Sequence, residues 1–112
     1  MVRFGKYILT ERIPRREEPP EFRMERYHIH FSNGYGASVI RGKYSYGGDL
    51  GLWELGALKE NENGEWGLIY IPGITGDDVL GYLSEKHVEE VLDMIKALPV
   101  TFNPQFGGIK WL

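Results

Sequence analysis

From Phe22 onward the polar and apolar positions alternate. In "FRMERYHIHF", Tyr27, Ile29 and Phe31 are interleaved with Arg26, His28 and His30, which is the period of a strand with one buried face. "SNGYG" contains an Asn-Gly turn signal and "ASVIR" follows as the returning strand, so the two segments predict a β-hairpin. "LWELGALKE", the turn "NENG" and "EWGLIYI" predict a second hairpin, ended by Pro72 and Gly73. In "ITGDDVLGYL", Thr75 and Asp78 stand at capping-box spacing and predict a short helical turn. Ser84 then opens a long helix, "EKHVEEVLDMIKAL", stopped by Pro99. Val88, Val91, Leu92, Ile95 and Leu98 form a single apolar stripe on it, and that stripe needs a sheet to cover. The pattern predicts an α+β fold: an antiparallel sheet of four to five strands in two hairpins, with one C-terminal amphipathic helix on one face.

The boundary of that domain is drawn by composition. Residues 11–21, "ERIPRREEPPE", hold seven charges and three prolines with Ile13 as the only large apolar residue. Such a stretch builds no core, so residues 1–21 are expected to form a charged arm, with "FGKYIL" available to pair at a sheet edge. Residues 22–112 are expected to form a single domain. The tail, "VTFNPQFGGIKWL", places Phe102, Phe106, Ile109 and Trp111 among Gly and Pro breaks. It predicts either a homo-oligomer contact or a segment folded back on its own sheet.

Charge and cysteine content narrow the chemistry. The chain of 112 residues has no cysteine, which excludes disulfides, thiolate nucleophiles and cysteine-held metal sites. Its net charge of -3 is unevenly spread: residues 1–26 carry seven Lys/Arg against five Asp/Glu, residues 27–112 six against eleven. An acidic folded part disfavours direct nucleic-acid binding and suits a partner with a basic surface. The longest apolar run is Leu68–Ile71, too short to cross a membrane, and the start has no secretory pattern. A bacterial cytoplasmic location is the expectation.

One connection stands out. "GKYSYGGDLG", residues 42–51, brings two tyrosines, four glycines and an aspartate between predicted strands. Tyrosines on a glycine-rich backbone are the composition of binding loops, and Tyr44, Tyr46, Gly47, Gly48, Asp49 and the nearby Trp53 are the candidate partner-binding residues. The plainer reading is a wide connection in which the glycines supply positive φ and the tyrosines cover the sheet. Glu85, Glu89 and Asp93, at i, i+4 and i+8 of the helix, form a second candidate: an acidic ridge for a basic partner, or a solvated face. His28 and His30 project from the same side of one strand and could share a metal with Asp49 or Glu54; without a third fixed ligand the signal is weak, and the main reading is of solvated or arm-covered residues. Capping explains at least Asp78 of the pair Asp77-Asp78, whose side chains would diverge on a helix; no nucleophile triad is present, and no cofactor or catalytic residue is expected.

The segments "RYHIHFSNGYGASVIRGKYSYGG", "LWELGALK" and "ITGDDVLGYLSEKHVEEVLDMI" resemble small uncharacterised proteins of tailed bacteriophages and prophages, over about residues 26–98. That group has no assigned activity, so the resemblance implies only a setting: an accessory or anti-defence factor that binds a host or phage protein. The functional expectation is a non-enzymatic protein-binding module. A metal-binding protein or small metal enzyme using His28 and His30, and a small-ligand sponge closed by the tyrosine loop, are the alternatives.

Overall fold

The computed structural model describes residues 1–12 and 24–100. Seven strands form one antiparallel sheet: β1 (Val2–Phe4), β2 (Tyr7–Glu11), β3 (Glu25–His30), β4 (Tyr35–Arg41), β5 (Trp53–Glu60), β6 (Trp66–Ile69) and β7 (Leu80–Leu83). The first six follow one another across the sheet in chain order, each antiparallel to the next. β7 shares the far side of β5 with β6. Trp53 and Leu55 of β5 pair with Leu83 and Leu80 across an irregular register, while Ala57–Glu60 pair with Ile69–Trp66. The helix α1 (Glu85–Lys96) lies on one face, against β1, β4, β5 and β7. The α+β class, the two central hairpins and the helix are as the pattern predicts, but the sheet is wider than four or five strands.

The extra width comes first from the N-terminus. Residues 1–12 do not form an arm but pair at the sheet edge, as "FGKYIL" allows: Gly5, at φ +60, turns β1 into β2, and β2 continues the sheet by pairing Thr10 and Glu11 with His28 and Tyr27. Phe4 and Leu9 are fully buried and Tyr7 nearly so. These three apolar residues alternate around a glycine turn, and their burial outweighs the flanking charge. The prolines and arginines of residues 13–23 and the aromatic tail lie outside the described residues.

The second addition is β7. Thr75 does not cap a helix; its side chain accepts a hydrogen bond from the Ile71 amide (2.8 Å), and the Ile71 carbonyl accepts the amides of Ile74, Thr75 and Gly76. Asp78 accepts from the next amide, that of Val79, at 2.8 Å. Both candidate cap residues are thereby used within a compact turn, and the chain leaves it extended as β7. Ser84 does cap α1, accepting from the His87 amide at 3.2 Å.

The core lies between helix and sheet. Val88, Val91, Leu92 and Ile95 pack on Phe4, Leu9, Tyr27, Ala37, Val39, Trp53, Leu55 and Ala57. Asn33, 7% exposed, locks the helix end to the first hairpin. Its amide donates to the carbonyls of Ile95 (3.0 Å), Lys96 (3.2 Å) and Leu98 (2.9 Å), and its oxygen accepts from the Tyr35 amide (3.0 Å). One side chain thereby ties the end of α1 and the residues after it to the hairpin, its NH2 shared among these carbonyls while the Ile95 carbonyl also accepts the Leu98 amide at 3.2 Å.

Candidate functional site

The tyrosine loop is built as a rigid ledge. Ser45, buried among glycines, accepts from the Gly42 amide (2.9 Å) and donates to the Gly42 carbonyl (3.0 Å), closing the first turn. Gly47 and Gly51, at φ +90 and +77, bracket a short 3-10 turn over Gly48–Leu50, and the Gly47 carbonyl accepts the amides of Leu50 and Leu52. Gly48 is required for a different reason: a Cβ there would run into the Gly42 carbonyl. Glu54 accepts from the Tyr46 amide at 2.8 Å, and Arg41 donates to the Gly51 carbonyl at 3.4 Å.

What this scaffold presents is aromatic. Tyr44 and Tyr46 are each 54% exposed and Leu50 68%. The loop also lies along β7, where the Tyr82 amide donates to the Tyr46 carbonyl (3.1 Å), and a Cβ at Gly81 or Gly47 would meet Tyr46 or Tyr82. Tyr82 itself is 60% exposed and has φ 57, the only non-glycine residue at positive φ among those described. A side chain in that conformation costs about 1 kcal/mol, so the irregular β5–β7 pairing holds the Tyr82 ring against Gly47 of the loop at some expense. Tyr82 was not legible as a site residue. Its segment reads as part of a helical turn, and nothing in "LGYL" marks a left-handed tyrosine.

Other candidates are placed elsewhere. Trp53 is 2% exposed and presents no surface to a partner. It makes edge-on contacts with Phe4 (centroids 5.0 Å) and Tyr27 (5.9 Å), with the Arg41 guanidinium over its ring at 4.1 Å. Its place in the alternation of β5, Trp53-Leu55-Ala57, puts it on the helix side. Asp49 is exposed in the 3-10 turn. Of the acidic ridge, Glu85 is exposed, but Lys6 reaches both Glu89 (3.5 Å) and Asp93 (2.9 Å), and the Tyr7 hydroxyl donates to Asp93 at 2.5 Å. The basic counterpart of two of the three acids is therefore this chain's own β1–β2 turn. The hydrogen bonds from Tyr7 and Lys6 hold the Asp93 carboxyl below its usual range.

His28 and His30 do share the sheet face opposite the helix, each with its own neighbour. Arg12 donates to His28 Nδ1 (2.9 Å); a guanidinium only donates, so this nitrogen is unprotonated. Burial, then the charges of Arg12, His30 and Arg26, depress His28 to about 4. His30 stacks on Trp66 (3.7 Å between centroids, 3° between planes), across Gly36. Glu54, one proposed third ligand, is bonded to the tyrosine loop instead. Among the described residues no three His, Asp or Glu side chains gather at metal-binding distances, and no helix is long and apolar enough to cross a membrane.

Fold and surface of the described residues together define a class: an antiparallel sheet backed by one helix, displaying an aromatic ledge on its β7 side. Comparison with protein-family models, curated proteins and solved structures finds no match.

Proposed function

We propose that this protein is a non-enzymatic protein-binding module whose contact surface is the ledge of Tyr44, Tyr46, Leu50 and Tyr82. The observation that carries this reading is the combination of three exposed tyrosines with a backbone fixed by side-chain hydrogen bonds and positive-φ glycines. Exposed aromatic rings with few rotors on a preorganised frame are the residues that dominate interface energy, because little entropy is lost when they are covered. The phage resemblance directs the search for that partner to a bacterial host or phage protein.

The test is a paired one. Tyr44→Ala/Tyr46→Ala should abolish stoichiometric co-purification of the partner from the bacterial host and leave the melting temperature nearly unchanged. Earlier melting by several degrees, with normal partner recovery by the remaining folded protein, would make the tyrosines sheet cover and remove the basis of the proposal.

A further inference from the structure

Among the described residues, the sheet has three places where a strand ends the hydrogen-bonded ladder, and they are treated differently. β1 has three residues, carries Arg3 at its centre and is backed by α1. β7 is bordered by the tyrosine loop through the Tyr46–Tyr82 bond. β6 has neither protection: among the described residues no strand or loop pairs with its outer side, and "WGLI" contains no charge and no proline. Natural sheets blunt such edges unless they are used.

The surroundings of β6 specify what would use it. Trp66, Leu68 and Tyr70 alternate along the strand and its exit, with Leu68 51% and Tyr70 53% exposed. An open concavity runs beside them, lined on its apolar side by Trp66, Leu68 and Ile69. The rest of its lining comes from the end of β5, with Lys59 and Glu60, and from the β5–β6 turn, with Glu62 and Glu65. Gly67 leaves space open to an approaching backbone, since a Cβ there meets nothing within 4 Å.

We propose that the outer edge of β6 is a strand-addition site for an extended basic segment of a partner protein. The added strand would take its main-chain hydrogen bonds from β6, set apolar side chains on Leu68 and Tyr70, and direct Lys or Arg toward the carboxylates of the turn. This surface is on different residues from the tyrosine ledge, and its test is independent of that reading.

The test uses the full isotope-labelled chain and two blocked octapeptides, one alternating Arg with Val and one alternating Glu with Val. With the Arg peptide at millimolar concentration, the β6 amides directed away from β5 should exchange roughly tenfold more slowly, and the Trp66 indole resonance should shift. The Glu peptide should do neither. Glu62→Lys/Glu65→Lys, at exposed turn positions, should weaken the Arg peptide by roughly tenfold while its circular dichroism and melting stay unchanged. The proposal is overturned if those amides are already protected in the free protein, whether by its own chain or by a second copy. It is equally overturned if both peptides act alike, or if the Arg peptide perturbs only residues away from β6.

Discussion

Tyr82 and Tyr7 are two tyrosines whose hydroxyphenyl rings serve opposite ends. At Tyr82 the backbone is left-handed and the residue is 60% exposed, so it is disfavoured by its conformation and gains little from burial. Tyr82→Gly should leave the melting temperature unchanged or raise it, by up to about 1 kcal/mol of relieved strain, while weakening partner capture by the ledge. A clear loss of stability in thermal unfolding would show that the ring has a packing role. Tyr7 is buried, and its hydroxyl reaches Asp93 on the helix. Tyr7→Phe keeps the ring and removes that bond, for an expected loss of about 1 kcal/mol in denaturant titration.

At the scale of elements, the junction that matters most for assembly is the one Asn33 makes between the β3–β4 turn and the end of α1. Asn33→Ala removes the donor to the Lys96 and Leu98 carbonyls, leaves the Ile95 carbonyl with the Leu98 amide alone, and should cost about 2 kcal/mol. Asn33→Asp is the sharper probe. A carboxylate has no donor for those carbonyls and carries a charge that opposes the negative end of the helix, so its destabilisation relative to the native chain should shrink when chemical denaturation is repeated below the carboxyl pKa. Equal deficits at neutral and acidic pH would mean that lost hydrogen bonds alone account for the effect. "SNG" reads in the sequence as a hairpin signal, and it is one; that the same asparagine also ends a helix more than sixty residues away is a tertiary fact.

For the whole molecule, the linked protonations predict a stability plateau with two flanks. His28 titrates near 4 when folded, below its ordinary 6.5. Above pH 6.5 the ring is neutral in both states and contributes no pH dependence. Between about 6.5 and 4 the unfolded chain binds a proton that the folded protein refuses, so stability falls as pH falls, by about 1 kcal/mol once solvent screening of the partly exposed ring is allowed for. His28→Gln should flatten that flank in unfolding curves measured across the range. On the alkaline side Tyr7 is raised to about 12 by burial and its bond to Asp93. Its contribution is complete below pH 10 and is lost as pH rises from 10 toward 12, a loss that Tyr7→Phe should abolish.

The sequence by itself determined the elements whose signals are local. Alternation in residues 26–31, the Asn-Gly turn, the Ser84 cap and the stripe from Val88 to Leu98 each depend on spacing within a few residues, and spacing within a few residues fixes which face of a strand or helix is apolar. It also singled out the tyrosine loop, because that composition is unusual wherever the chain goes. Only the tertiary structure decided what each surface meets. Tyr44 and Trp53 are both aromatic and nine residues apart, yet one is exposed and the other lies under Arg41 between Phe4 and Tyr27. The charges of residues 1–12 did not prevent two strands from forming, because Phe4, Tyr7 and Leu9 found α1 and the rest of the core to cover them. Glu89 and Asp93 met Lys6, Tyr82 met Tyr46, and β7 took the free half of β5. Each of these pairings joins residues far apart in the chain, where the free energy depends on which surfaces are brought together, and no local pattern records that.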